Sequence, residues 1–314
     1  MTDYIIMVGP SASGKSTYAE QLKANYERRG EEAIIVSSDS IRVELFNNIN
    51  DLEHNEEVFE EVNRRVAESL GKKNVIVDAT SVDVKSRAPL LRLARKVTDV
   101  RQIAMVMTTP YWVCKKQNRN RERSVPGFAI DRHISRFEIP CYGEGFDAIH
   151  LIIHARGTFF NAKERLADRK AVPDFLPNLL SSAASNDSLH IDSRWKECAD
   201  RVAERTDNEA VVRAAMVLGY GQLLCQKDSG CGDFIQGGDV FRVSNMGVYS
   251  LMHTLEHIGL DDYDKCLECL LYANYLQRSL GFRAEATLKE WAKKLGQGQL
   301  DNLMLLRECC YHRG

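Results

Sequence analysis

Short apolar runs alternate with amphipathic stretches through the first half of the chain. Tyr4-Ile5-Ile6-Met7-Val8 is continuous rather than alternating, the pattern of a strand covered on both faces. Ala33 to Val36, Asn74-Val75-Ile76-Val77-Asp78, Arg101 to Met107 and Ala148 to Ile153 have the same character. Helical spacing fills the gaps: Thr17 to Lys23, Ser40 to Phe46, Glu56 to Leu70, a stretch through Leu90 to Lys96, Tyr111 to Asn120 and Ala129 to Phe137. Strands separated by helices of this length need crossover connections, so the predicted class is α/β, a parallel sheet covered by helices on both faces. Between 157 and 188 the rhythm fails, and Pro173, Pro177 and the run Ser181 to Asp187 predict a linker or irregular junction. Helical spacing then returns in Ser193 to Arg205, Glu209 to Leu224, Val248 to Ile258, Asp261 to Leu280, Ala284 to Leu295 and Leu300 to Cys309, around a Gly-rich stretch from Asp228 to Gly238. A first domain over 1–156 and a mostly α-helical C-terminal domain over 189–314 follow.

Directly behind the first predicted strand stands Gly9-Pro10-Ser11-Ala12-Ser13-Gly14-Lys15-Ser16, a complete G-x-x-x-x-G-K-[ST] loop. Strand, loop and helix in that order make a phosphate-binding loop. Its glycines let backbone N–H groups turn inward around phosphates, Lys15 reaches the β and γ oxygens, and the Ser16 hydroxyl can ligate Mg²⁺ at a positive helix N-terminus. Gly9, Ser11, Ala12, Ser13, Gly14, Lys15, Ser16 and Thr17 are the predicted nucleotide contacts, with ATP and Mg²⁺ as cofactors. The first domain therefore reads as a P-loop α/β domain.

Composition sets limits on this picture. At 314 residues the chain suits about two domains of ~100–200 residues each. No apolar stretch approaches the roughly 20 residues of a membrane helix and no signal peptide precedes the first strand, so a cytoplasmic location and no membrane partner are expected. Cysteines number 9, odd and including the neighbours Cys309 and Cys310, which points to reduced thiols rather than a disulfide framework. Cys266 and Cys269 have C-x-x-C spacing within a helical run and no second ligand pair nearby, which favours core thiols over zinc. A net charge of −2 offers no global attraction to nucleic acid, so such affinity requires a local patch. One exists: Lys115, Lys116, Arg119, Arg121, Arg123, Arg132 and Arg136 are opposed only by Glu122 and Asp131. Glu44 to Glu61, by contrast, is strongly acidic.

A P-loop does not by itself separate kinases from ATPases or GTPases; the acceptor side must do so. Val36-Ser37-Ser38-Asp39-Ser40-Ile41-Arg42 puts a carboxylate at the C-terminal edge of the second strand, where ligands of open α/β sheets bind, and an arginine one helical turn later. Asp39 can accept a hydroxyl proton while Arg42 holds an anionic group of the acceptor; the competing reading makes Asp39 a helix N-cap. Asp78 ends its strand as an acidic residue near Mg²⁺ does, acting through water, or else as a loop cap. Asn118 to Pro126 lies between two helices, the place for a lid, where arginines stabilise charge on a transferring phosphoryl group.

Together the P-loop, Ser38-Asp39-Ser40-Ile41-Arg42, Val77-Asp78-Ala79-Thr80, the Arg119 to Pro126 lid and Phe137-Glu138-Ile139-Pro140 resemble the kinase domain of phage-type polynucleotide 5′-kinases over about residues 4–153. The resemblance implies that Lys15 and Ser16 hold ATP and Mg²⁺, that Asp39 is the general base and that Arg42 grips a substrate phosphate. Arg121 or Arg123 then contacts the donor, Arg119 lies on the nucleotide side, and Asp78 and Arg87 join Arg42 on the substrate side. The second half resembles, more faintly, an HD phosphohydrolase-like domain through Val211 to Gly221. Gly219 and Tyr220 stand where the His-Asp doublet would be, which implies a lost activity. His253 and His257, at i and i+4, read as core or surface histidines because no third ligand is evident.

The function that follows is an ATP-dependent kinase acting on a hydroxyl of nucleic acid, a 5′-OH end of DNA or RNA or a hydroxymethylated base extruded from phage DNA. A P-loop kinase of a small alcohol is the alternative within enzymes. A nucleotide-responsive interaction protein is the alternative outside them.

Overall fold

The apolar runs become β1 (Thr2–Val8), β2 (Ala33–Ser37), β3 (Asn74–Asp78), β4 (Val100–Met107) and β5 (Ala148–Ala155), and a sixth strand, β6 (Thr158–Asn161), is added. The computed structural model describes residues 1–51, 53–121, 124–155, 157–167, 194–217, 248–249, 251–253, 255–260, 262–279, 293 and 295–311. Contacts divide the chain into two compact units, Met1–His133 with Pro140–Phe159, and Ile134–Ile139 with Phe160–Gly314.

In the first unit the sheet order is β2-β3-β1-β4-β5-β6. β1 pairs with β3 and β4, β2 with β3 and β4 with β5, all in parallel. Tyr4 to Val8 are fully buried, as a central strand with both faces covered requires. The intervening helices are α1 (Lys15–Arg28), α2 (Ser38–Phe46), α3 (Asn55–Ser69), α4 (Val84–Ala94), α5 (Tyr111–Arg119) and α6 (Gly127–Ser135). This order sets the carboxyl ends of β2, β3 and β1 side by side. Ser37 is in register with Asp78, and Val77 with Ile6, so the P-loop, Asp78 and the start of α2 share one edge.

Three boundaries depart from the sequence pattern for local reasons. α2 starts at Ser38 because the Ser37 side chain caps it, accepting from Ser40 N at 3.4 Å. α6 lies two residues ahead of its predicted span, and the chain past it turns with Phe137 N bonded to Ile134 O at 3.1 Å. β6 and the short α7 (Ala162–Ala167) occupy the beginning of the stretch read as irregular. β6 is anchored by Phe159, which stacks on His154 at 4.5 Å and leans on Tyr18 at 5.1 Å.

The second unit is helical where it is described: α7, α8 (Arg194–Ala203), residues 209–217, a 3₁₀ turn at Leu255–Ile258, α9 (Tyr263–Ser279) and α10 (Gln297–Tyr311). Trp195, Val202, Leu270, Leu303 and Leu306 are among its buried side chains. The segment Ile134–Ile139 belongs to this unit. Ile139 N donates to Asn274 Oδ1 at 3.2 Å, Asn274 Nδ2 donates to Phe137 O at 3.3 Å, and the Phe137 ring meets Tyr249 edge-on at 5.4 Å. Cys266 and Cys269 are buried free thiols on α9, and burial pushes Cys269 well above the usual thiol range. Gly219 and Tyr220 and the side chain of His257 lie outside the described residues, and His253 is half-buried. Among the described residues no helix is long and apolar enough to cross a membrane.

Candidate active site

Three backbone positions shape the P-loop. Gly9 and Gly14 take φ of 155° and 93°, and Ala12 sits at 63°. A Cβ on Gly9 would meet Met107 Cβ and Ser13 Oγ at 3.0 Å, and one on Gly14 would meet the Phe159 ring at 3.1 Å. Ala12 carries a side chain in a region that disfavours it by about 1–2 kcal/mol, strain held by the surrounding bonds. Thr109 Oγ1, just past β4, donates to Ser13 O at 2.6 Å, and Gly9 N donates to Thr80 O at 3.1 Å, which pins the loop from both neighbouring strands. α1 has no side-chain cap and no acidic residue in its first turn. Its leading N–H groups are left for an anion.

Lys15 is buried, and its Nζ donates to Gly9 O at 3.0 Å and Pro10 O at 2.8 Å. Burial pushes its pKa down, Asp78 and Asp39 pull it back up, and Arg121 pushes it down again. The ammonium therefore feels both predicted carboxylates and one lid arginine at once, so the structure brings Lys15, Asp39, Asp78 and Arg121 into one electrostatic neighbourhood. A polyphosphate bound there would restore the charged form that burial disfavours. The uncapped helix start, the tight glycine cradle and this buried amine fit the phosphates of a nucleotide. Ser16 and Thr17, exposed at the head of α1, and Asp78, half-buried at the end of β3, fit a hydrated Mg²⁺.

Ser37 takes the capping role, and Asp39 stands in the first turn of α2. The Asp39 side chain is 52 % exposed, whereas that of Arg42 is 7 % exposed. Arg42 Nη1 donates to Asp39 Oδ1 at 3.0 Å and Nη2 donates to Asn55 Oδ1 at 2.7 Å. Arg42 Nε is buried with no partner among the described residues. Leaving such a donor unmet costs about 1–3 kcal/mol, which a ligand supplying an acceptor would recover.

The segment read as a lid lies between two helices that are tied together. Tyr111 OH and Lys115 Nζ both donate to Asp131 Oδ1, at 2.6 and 2.7 Å, joining α5 to α6. The Asn118 side chain clasps the loop between them, donating to Val125 O at 2.7 Å and accepting from Val125 N at 2.9 Å. Lys115 is thereby neutralised and removed from the basic patch. Arg119 is exposed at the end of α5, Arg121 is exposed in the loop, and Arg123 lies outside the described residues.

Arg87 is placed differently from its sequence-based role as a substrate contact. It has no exposed surface; Nε and Nη2 each donate to Glu144 at 2.8 Å, and Nη1 donates to Ser81 O at 3.1 Å. This is a structural ion pair inside the fold, out of reach of a substrate. Conversely, sequence reasoning missed His133. Its Nδ1, on α6, accepts a hydrogen bond from Ser11 N of the P-loop at 3.3 Å, across 122 positions of sequence. Helical spacing marks its helix, but nothing local marks its partner.

Residues 5–140 match the model of a family described as an AAA domain. This part of the chain is an α/β P-loop domain. A solved chain from the structure of the Pnkp1/Rnl/Hen1 RNA repair complex is 25% identical to this one, covers 43% of it and has a TM-score of 0.36. This chain in turn spans 43% of that chain, less than half its length. No curated protein matches. The chain has the predicted α/β P-loop class, a mostly parallel sheet followed by a helical C-terminal region.

Proposed function

We propose that the P-loop domain transfers the γ-phosphate of ATP to a hydroxyl of nucleic acid, most simply a 5′-OH end of DNA or RNA. The observation that carries this reading is the Asp39–Arg42 pair, hydrogen-bonded at 3.0 Å, with Asp39 in the same field as the P-loop lysine. Asp39 takes the proton of the attacking hydroxyl as its oxygen bonds to the γ-phosphorus and the bond to the β–γ bridging oxygen breaks. Arg42, with a donor to spare, holds an anionic group of the acceptor. Lys15 and the loop N–H groups hold the β and γ phosphates, and Arg121 and Arg123 meet the charge on the transferring group. Ser16, and Asp78 through water, would hold Mg²⁺, which would supply charge neutralisation at those oxygens.

The motif resemblance to polynucleotide 5′-kinases favours a strand end as acceptor. The outer surface of the lid supports it. Trp112 is 52% exposed, with Lys116 and Arg119 following at i+4 and i+7 on α5, and Phe128 is 69% exposed, with Arg132 at i+4 on α6. Exposed aromatics stack on bases while cations track phosphates, a sequence-tolerant way to hold a single strand.

Transfer of labelled γ-phosphate tests the reading with 5′-OH DNA, 5′-OH RNA, hydroxymethyl-base DNA and free nucleosides as acceptors. Label on the 5′-OH strands is the expected result. Label confined to the modified base moves the acceptor inside the duplex, and label confined to nucleosides makes this a small-alcohol kinase. ATP binding with no labelled acceptor at all returns the chain to a nucleotide-responsive interaction protein.

A further inference from the structure

The peptide between Pro10 and Ser11 is held at both ends. Its carbonyl, Pro10 O, accepts from Lys15 Nζ at 2.8 Å and from Ser13 N at 3.3 Å. Its N–H, on Ser11, donates to His133 Nδ1 at 3.3 Å. The peptide is planar, so its carbonyl and its N–H cannot turn separately. The proline ring fixes φ of Pro10 at about −65°, which leaves the peptide to swing chiefly about the two torsions beside it. A ring that orients the Ser11 N–H therefore orients the Pro10 carbonyl, and through it the ammonium of Lys15. That ammonium uses two of its three N–H bonds on Gly9 O and Pro10 O, which sets the direction of the third. The ring is itself fixed in place. His133 lies on α6 two residues after Asp131, whose Oδ1 accepts from both Tyr111 OH and Lys115 Nζ of α5. Local preference does not hold the loop, because the next residue, Ala12, stands at φ 63°, which its side chain disfavours.

We propose that His133 is a positioning residue for the donor phosphates: its Nδ1 holds the Pro10–Ser11 peptide, and hence Lys15 Nζ, in the orientation that receives the β and γ oxygens of ATP. The inference rests on the reading of this loop as an ATP site. His133 acts through the loop backbone and not on the reacting atoms. Acceptance at Nδ1 requires the neutral ring with its proton on Nε2. With that ring on the loop, ATP meets an ammonium already aimed, and affinity keeps what ordering a long, flexible side chain would otherwise cost. The α5–α6 pair thereby belongs to the donor site before any nucleotide arrives.

Calorimetric titration with Mg²⁺ and ATP tests this on the full-length wild type, His133→Leu and His133→Asn. Asparagine sets Oδ1 close to where Nδ1 stands and so keeps an acceptor for Ser11 N, whereas leucine fills the space without one. His133→Leu should weaken ATP binding by about two- to tenfold, the range of one neutral hydrogen bond, and His133→Asn should return most of the loss. A packing role predicts the reverse order, because leucine fills the gap better than the smaller, polar asparagine. On an acceptor that takes label, kcat should fall in His133→Leu while acceptor KM, set by Asp39 and Arg42, holds. Equal ATP affinity in all three proteins, or His133→Asn binding more weakly than His133→Leu, overturns the proposal. A wild type that binds ATP but labels no acceptor fails the kinase reading alone, since the order of the three affinities still decides the role of His133. A wild type that binds no ATP overturns both.

Discussion

Arg87 on α4 and Arg42 on α2 are both buried and both paired with a carboxylate, yet their surroundings are unlike. Around Arg87 every nitrogen is met from inside, by both oxygens of a Glu144 that is itself 3% exposed and by Ser81 O. Around Arg42 the carboxylate is half in solvent, Asn55 meets one nitrogen, and Nε is left over. A buried guanidinium that serves the fold has its donors closed by the fold. The one proposed to serve a ligand is left a bond short. The contrast separates the two arginines where sequence alone gave both to the substrate.

The largest effect expected on the open side comes from Asp39→Asn, which removes the base and keeps the shape. Phosphate transfer should fall by about 10²–10⁴-fold, with ATP binding and thermal stability near wild type. Near-normal turnover would leave Asp39 as no more than the partner of Arg42 and remove the general-base role.

On the closed side the loss should appear in stability instead. Glu144→Ala strands Arg87 as an unpaired buried charge and should cost about 3–5 kcal/mol in denaturant unfolding. The double variant Arg87→Met with Glu144→Leu should recover most of that, because the pair owes its value to mutual satisfaction. If Glu144→Ala unfolds like wild type but loses affinity for acceptor, the two regions are not different in kind and the contrast fails.

Arg42→Ala should weaken acceptor binding by roughly 1.5–3 kcal/mol, a ten- to hundredfold rise in KM for an acceptor with a phosphate beside the reacting hydroxyl. ATP affinity should hold. An acceptor lacking that phosphate should hardly notice the change, and equal losses on both acceptors would remove Arg42 as the phosphate clamp.

Much of this arrangement was legible in the chain because it is local. The P-loop is eight consecutive residues whose spacing encodes its backbone turns, and the uninterrupted apolar run before it announces a central strand. Asp39 and Arg42 lie three apart on one helix, and that spacing alone brings them together. The competing capping role was settled by Ser37, one of several candidates in a Ser-rich segment that spacing could not rank. What stayed hidden depends on distant partners. Arg87 reads like any helical arginine until Glu144, 57 positions away, closes on it, and His133 reads like any helical histidine until it meets Ser11. Asn118 and Asp131 give no motif either, though together they tie the segment read as a lid.

The smallest effect sharpens the comparison by asking what keeps Asn55 under Arg42. Asn55 opens α3, and the turn leading into it is tied by Asp51, whose Oδ1 accepts from His54 N and Glu53 N at 3.1 Å and whose carboxylate meets the His54 ring at 3.0 Å. The Asp51 side-chain bond raises the His54 pKa above its ordinary 6.5, and the His54 and Glu53 N–H groups help hold Asp51 below its ordinary 3.8. The histidine's share of the pairing is therefore complete below about 6.5 and is lost as pH rises through its raised value. The aspartate's share is present above about 3.8 and is lost as pH falls through its lowered value. The turn should be tightest in mild acid. An NMR titration should place the His54 midpoint above 6.5, and Asp51→Asn should bring it back. Since the His54 side chain is 43% exposed, acceptor KM should drift upward only slightly across that titration, and not at all in Arg42→Ala, where Asn55 has nothing left to hold. A drift that persists in Arg42→Ala would mean that the turn acts on the acceptor by some route other than the arginine.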